Sequence, residues 1–503
     1  MLQLLNGLPL AIAQAGAYLQ ESGVGLGTYL RFYEQQWDDL MKVGSEFDAP
    51  LQDYPDRSVW TTWAISYQAI RHKHEHTANL LLLWSFLDNK DLWHGLFAEA
   101  CESSSIAKSM LSAWIGEIAS SEVAFRRAMQ LLRNYSLVEA VEATESYATH
   151  PVVHRWAYHY RGKQSELELE QLAVVAVGWA KPLQSVNNWP ALQRRLLPHA
   201  QACAVYVASS QLVQLSSRND SHRANSNGVK EREVILDGAL MLGLLYDDQG
   251  RLAEAEKIYQ LALEGYKEAF GPKHTSTLDT VNNLSVLYRN QGRLAEAEVM
   301  CKWALEGTEE ALGPKHTSTL DTVNNLGILY RNQGKLAEAE KMYKRALEGK
   351  EEALGPKHTS TLDTVNNLGI LYADQGKLAE AEKMYKRALQ GYKDALGDAQ
   401  VRRYMPALNA LQNLGDLYSM QGKHAKAQEM YSSALAGLQS VLGQSHERCQ
   451  KLQARIHKLA ARQGSTLDRV EPLAIEEAPK PELQQEKKAS RRRFRPYMRK
   501  ILR

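Results

Sequence analysis

The chain has 503 residues, 44% of them hydrophobic, with 60 Lys and Arg against 58 Asp and Glu and a formal charge of +2. That composition describes a soluble globular chain long enough for about three domains, with no net charge drawing it toward nucleic acid. Cys101, Cys203, Cys301 and Cys449 stand far apart with no CxxC pair, so neither a disulfide framework nor a zinc site is encoded, and a reducing intracellular setting fits.

Residues 1–45 read as a helical segment. The opening MLQLLNGLPLAIAQAGAYL is apolar, but it has no basic stretch ahead of it and carries Asn6, Gln14 and the Pro9 break, which argues against a signal peptide or membrane span. Glu46–Arg57 is a polar, proline-containing linker. Residues 58–160 then read as a compact, mostly helical domain: SVWTTWAISYQAI, LLLLWSFLDNKDLWHGLF and FRRAMQLLRNYSLVEA as helices, closed by YATHPVVHRWAYHY. Within it, HKHEH at 72–76 invites a metal reading. Alternate residues of one helix point about 200° apart, so its histidines would not converge on one ion, and a solvated helix end is expected.

Residues 161–230 form a helical connector ending in a Ser/Asn-rich stretch, Ser216–Lys230, expected to be a joint. Residues 231–445 are organised by a repeat. The phrase GPKHTST begins at Gly271, Gly313 and Gly355, a period of 42 residues, with a weaker copy before and a fifth copy after that carries four extra residues. A fixed period of this size marks stacked supersecondary units. Each unit reads as two helices. In the third, Thr319, Leu320, Val323, Leu326, Gly327 and Tyr330 form a small or apolar stripe, with Ser318 and Asp321 as a capping box and Gly334 as the stop. A second helix runs to Leu354, burying Leu336, Ala339, Met342, Tyr343, Ala346 and Leu347, before Gly355-Pro356 ends it. His274, His316 and His358 recur one per turn and are expected to fix that turn. Residues 446–464 read as a capping helix, and 465–503 as a disordered tail ending in KKASRRRFRPYMRKILR.

The first helix of each unit leaves one polar face over: Asp279, Asn282, Asn283, Arg289 and Asn290; Asp321, Asn324, Asn325, Arg331 and Asn332; Asp363, Asn366 and Asn367; and Gln412 with Asn413. An amide offers two donors and an acceptor, so a column of them can hold an extended peptide backbone without reading its sequence. The alternative is that the amides bond to neighbouring helices or water. Arg289 and Arg331 would favour a partly acidic ligand.

Leu326, Gly327, Tyr330, Gly334, Ala339, Tyr343 and Ala346, with the phrase NNLGILY, resemble a tetratricopeptide repeat of the long, kinesin-light-chain type. The resemblance implies an all-α fold, a solenoid of helix pairs whose first helices line a concave groove. Gly7-Leu8-Pro9-Leu10-Ala11 resembles the GLPLA motif of NB-ARC ATPases, the switch modules of STAND-type, NLR-like receptors. The segment after it is similar to the fungal version of that module fused to such repeats. The 58–160 domain then resembles the winged helix of the family, and Thr149-His150-Pro151 its Met-His-Pro sensor, with Thr in place of Met. The resemblance implies that Pro9 lies against the adenine and His150 on the β-phosphate of a bound ADP.

No GxxxxGK[ST] string occurs in the 503 residues, so phosphate and Mg²⁺ would lack their main ligands here. The expectation is therefore no enzyme and no cofactor, with ADP relevant only if an NB-ARC core lies upstream. The chain reads as a protein- or peptide-binding scaffold or sensor, the C-terminal part of a longer receptor or a truncated relative of one. A full-length NB-ARC paralogue is then a second partner. Two alternatives stand beside it: the regulatory half of an ATP/ADP switch, and a kinesin-light-chain-like cargo adaptor, for which no heptad stretch is present. A cytoplasmic location is expected. The basic tail would also suit nuclear import, nucleic acid or an anionic membrane.

Overall fold

The computed structural model describes residues 9–43, 57–160, 166–183, 188–208 and 226–462. The linker 46–56, most of the joint and the tail beyond 462 lie outside the described residues. The chain divides into two units, one of residues 1–182 and 192–265, the other of 183–191 and 266–503.

In the first unit, α1 (Pro9–Ser22), α2 (Leu26–Val43), α3 (Arg57–Lys73) and α4 (Glu75–Trp84) are followed by α5 (His94–Ser103), α6 (Ser105–Ile115) and α7 (Glu122–Asn134). An antiparallel hairpin of β1 (Val138–Val141) and β2 (Ser146–Thr149) pairs Val138 with Thr149, and α8 (Pro151–Tyr160) follows it. Trp63, Trp84 and Trp156 are fully buried in the core. Gln14, also fully buried, accepts from the Trp63 indole and donates to the Ser136 carbonyl at 3.1 Å, so its amide is satisfied within that core.

Two local expectations are corrected here. The SLVEA end of the third helical phrase is a strand: Ser136 takes a positive φ of 55°, which ends α7, and β-branched Val138 and Val141 continue as β1. The HKHEH stretch is not one helix. His74 is extended (φ −158°) and caps α4, its Nδ1 accepting from the Thr77 amide at 3.2 Å, so the rings of His74 and His76 come within 5.9 Å. The angular argument therefore fails at that break, although no group of three or more metal-ligating side chains comes together among the described residues.

Then come α9 (Glu166–Trp179), α10 (Trp189–Ala208), α11 (Ser226–Asp248) and α12 (Leu252–Phe270); Ser226–Lys230, read as part of a joint, form the first turn of α11. His199 on α10 is fully buried, accepting from the Asp88 amide and donating to the Asp91 carbonyl, and burial pushes its pKa down, which keeps it neutral.

The second unit continues with the pairs α13 (Thr275–Asn290) and α14 (Leu294–Leu312), α15 (Thr317–Asn332) and α16 (Leu336–Leu354), α17 (Thr359–Asp374) and α18 (Leu378–Val401), α19 (Met405–Met420) and α20 (His424–Leu442), and ends on α21 (Glu447–Arg462). The four extra residues are absorbed in α18, which is interrupted at Gly397.

Two reciprocal contacts hold each pair closed. On the first helix a glycine admits a tyrosine ring: a Cβ at Gly327 would lie 2.8 Å from Tyr343, at Gly369 2.7 Å from Tyr385, and at Gly415 2.6 Å from Tyr431. On the second helix Gly349, Gly391 and Gly437 admit Leu320, Leu362 and Leu408 in the same way. The pair α13–α14 breaks the first rule and keeps its sense, since buried Ser285 and Cys301 stand where the others have Gly and Tyr. The repeat thus conserves volume at the contact rather than residue identity.

Candidate functional site

The turn before each first helix is fixed by its histidine. His274, His316 and His358 are the N-caps of α13, α15 and α17, with Nδ1 accepting from Ser276, Ser318 and Ser360 at 3.4, 3.2 and 3.2 Å. The capping box expected from Ser318 and Asp321 is therefore displaced by two residues onto His316. This frees Asp321 for a different role.

The asparagine pairs form a ladder between repeats. Asn325 Nδ2 donates to Asn282 Oδ1 at 3.2 Å, Asn367 to Asn324 at 3.1 Å, and Asn413 to Asn366 at 3.4 Å. The second amide of each pair thus reaches back to the first amide of the preceding repeat. Asn324 and Asn366 are only 9% and 8% exposed, whereas Asn283, Asn325, Asn367 and Gln412 are half-buried. So the amides do bond to neighbouring helices. The ladder leaves over the Nδ2 of each first Asn and the Oδ1 of each second, one donor and one acceptor per repeat.

An acidic column flanks the ladder, answered by a residue on the second helix that sequence reading passed over. Lys350, 2% exposed, bonds Asp321 Oδ1 at 2.6 Å and the Thr364 hydroxyl at 3.2 Å, and Ser360 Oγ also donates to Asp321. One repeat on, the Tyr392 hydroxyl donates to Asp363 Oδ1 at 2.5 Å, and burial pushes the Asp363 carboxyl up to about 6. Asp279 heads the same column. The signal was present in the sequence: among near-identical repeats, this second-helix position varies as Thr308, Lys350, Tyr392.

At the other end of the face, Arg331 is 3.6 Å from Asp374, and Arg289 Nη2 donates to Asn290 Oδ1 at 3.2 Å, while Asn332 is exposed. The Arg331–Asp374 contact balances the positive charge that suggested an acidic ligand. Between the ladder and these arginines lies one half-buried apolar residue per repeat, Val286, Ile328 and Ile370, with Asp416 in the fifth.

Pro9 and His150 are both exposed, the first opening α1 and the second preceding α8, where His150 Nδ1 accepts from the Val152 amide at 3.3 Å. Nearby His154 is the committed one: its Nε2 lies 3.0 Å from both the Trp84 and Leu87 carbonyls, and burial lowers its pKa. No described helix is long and apolar enough to cross a membrane.

A tetratricopeptide-repeat family model matches residues 236–310, 279–352 and 318–394, and a second model of the same description matches 407–448. A nucleotide-binding leucine-rich repeat (NLR)-like protein of Hyaloscypha variabilis is 28% identical over 285 residues, 55% of this chain. The chain spans 25% of the length of that relative. Among solved structures, BtubC (BKLC) from P. vanneervenii is 21% identical with a TM-score of 0.37, over 56% of this chain and 99% of its own. A STAND protein with a tetratricopeptide repeat sensor from Pyrococcus horikoshii is 13% identical with a TM-score of 0.41, over 90% of this chain and 65% of its own. A Podosopora anserina putative kinesin light chain with nearly identical TPR-like repeats is 20% identical with a TM-score of 0.33, over 41% and 95%. Residues 236–394 and 407–448, which hold most of the helix pairs described above, are thus similar to tetratricopeptide repeats.

Proposed function

We propose that the chain is a protein-interaction scaffold or sensor whose first-helix face binds an extended segment of a protein partner. The observation that carries this reading is the amide ladder joining Asn282, Asn325, Asn324, Asn367, Asn366 and Asn413. A ladder that only tied helices together would use buried groups alone. This one keeps the acceptors of Asn325 and Asn367 on a half-buried face, beside an apolar side chain and a carboxylate. An extended backbone needs that combination: amide partners along its length and a shallow apolar contact at regular intervals. The role is one of binding, without catalysis or a cofactor, in the cytoplasm.

The test is partner capture from extracts of the source organism by the full chain and by Asn283→Ala/Asn325→Ala/Asn367→Ala, with folding followed by circular dichroism. Because Asn325 and Asn367 also belong to the ladder, Ile328→Arg serves as a second variant that leaves the amides in place. Loss of the same partners from both variants supports the reading. Capture unchanged in both removes it.

A second reading is favoured by the similarity to the NLR-like protein, which extends over 55% of this chain. In it the repeats are the sensor of a nucleotide-dependent switch, with Pro9 and His150 as remnants of ADP contacts and a full-length NB-ARC protein as partner. Finding a P-loop encoded in frame ahead of Met1, or ADP retained by the purified full-length product, would support it. Absence of both would end it.

A further inference from the structure

The break at His74 gives the HKHEH stretch a use that one continuous helix could not. His74 and His76 line a cavity of about 510 Å³, to which α7 contributes Arg127 and Leu131 and the 3₁₀ turn Gly116–Ala119 contributes Glu117 and Ile118. The cavity lies wholly within the first unit. Its size is that of a small-molecule site, about 300–1,000 Å³.

Hydrogen bonds set the proton on each ring. His74 Nδ1 accepts from the Thr77 amide at 3.2 Å, so the neutral ring carries its proton on Nε2 and offers a donor there. His76 Nδ1 lies 3.2 Å from the Trp114 carbonyl, which can only accept, so that nitrogen holds the proton and Nε2 keeps a lone pair. A metal ion would need lone pairs on both rings, and His74 Nε2 holds a proton. The rings stand side by side, 5.9 Å between centroids. His76 is also pressed against Gly116: a Cβ there would lie 2.6 Å from its ring, and the backbone holds a φ of 59°. Only glycine meets both conditions. Glu117 follows directly, so a carboxylate and the His76 lone pair share one part of the wall. Glu117 and Arg127 are exposed, and neither side chain has an ion-pair partner among the described residues.

The cavity thus offers two unlike polar sets beside an apolar lining, with donors on Arg127 and His74 and acceptors on Glu117 and His76. A simple anion would meet the Glu117 charge, and a simple cation the Arg127 charge. A zwitterion meets neither penalty. Its carboxylate suits the guanidinium and the His74 N–H, and its ammonium suits the Glu117 carboxylate and the His76 lone pair. An apolar body then covers Ile118 and Leu131.

We propose that this cavity is a binding site for a free α-amino acid with a large apolar side chain. It uses no residue of the first-helix face and stands whether or not that face binds a partner.

The test is titration calorimetry on the full chain with L-phenylalanine, L-leucine and L-serine, and with 3-phenylpropionate and 2-phenylethylamine, which lack the ammonium and the carboxylate in turn. L-phenylalanine or L-leucine should bind saturably with a Kd below about 1 mM. L-serine and both truncated analogues should bind roughly tenfold or more weakly. Arg127→Gln and Glu117→Gln, both at exposed positions, should each weaken the better amino acid by about tenfold or more with the circular dichroism unchanged. Arg126→Gln makes the same change of charge one residue along α7, outside the cavity lining, and should leave the affinity within about twofold. L-serine or a truncated analogue binding as tightly as the better amino acid overturns the proposal. So does the absence of saturable binding. Binding that either cavity variant leaves intact, or that Arg126→Gln weakens equally, also overturns it.

Discussion

Exchanging the helix contact of α13–α14 for that of its neighbours tests whether the repeat conserves volume at that contact. Cys301→Tyr alone drives a ring toward a helix that carries Ser285 rather than glycine. In the neighbouring repeat a Cβ at Gly327 would sit 2.8 Å from the Tyr343 ring, well inside contact distance. Overpacking of that kind costs about 1–3 kcal/mol. Ser285→Gly alone gives up helix propensity worth about 0.5 kcal/mol and leaves a gap beside Cys301. The double variant rebuilds the Gly–Tyr contact seen at Gly327 and Gly369, so it should be more stable than the two single losses predict by about 1–3 kcal/mol. Urea unfolding of the four proteins, analysed as a double-mutant cycle, gives the coupling directly. Losses that add to within about 0.5 kcal/mol would refute the reasoning.

Three further outcomes are expected. Lys350→Tyr should leave the urea midpoint unchanged or raise it, because Tyr392 already makes the equivalent bond to Asp363 and a neutral hydroxyl removes the cost of burying the Lys350 charge; Lys350→Ala should cost about 2 kcal/mol in lost packing and hydrogen bonds. Acid should act in two opposed steps. Hydrogen bonds from Lys302 and Gln333, and from Lys344 and Gln375, hold Glu298 and Glu340 at about 2, so their stabilisation is complete above about pH 4.5 and is lost as pH falls toward 2. Asp363, raised to about 6, is favoured protonated in the fold, so its contribution is full below about pH 4 and declines as pH rises to 6. Melting temperatures of Asp363→Asn across pH 4–7 should lack that decline, and an unchanged profile would assign it elsewhere. Finally, His316→Ala should cost about 0.5–2 kcal/mol and His316→Ser close to nothing, read by thermal melts, if the ring acts as an N-cap.

Much of the solenoid was legible because the 42-residue period states each helix several times, so Gly327 and Tyr343 could each be placed on the packing stripe of its helix from the recurrence of both. The cap was misplaced because Ser318 and Asp321 satisfy a pattern that His316, an uncommon cap, satisfies in space. Lys350 was missed because a lysine in a helical sequence reads as a solvated charge, and only its opposition to Asp321 across the pair shows it buried. The amide ladder was legible only as the alternative that the amides bond to neighbouring helices, not in its pairing. Which atom of Asn325 faces which atom of Asn282 depends on how adjacent repeats pack. In the first unit, β1 was hidden because Leu137–Ala140 continues an amphipathic helical phrase, and only the positive φ of Ser136 breaks it.

The most direct test of the groove places a photo-crosslinking benzophenone residue at Ile328, on the first-helix face, and in a separate protein at Val299, which is 64% exposed on the second helix α14. Both full chains are irradiated with a partner-containing extract, and adducts are mapped by mass spectrometry. The account predicts that the residue at 328 joins an extended segment of a partner, while the residue at 299 stays unreacted. Adducts at 299 with none at 328 would contradict it.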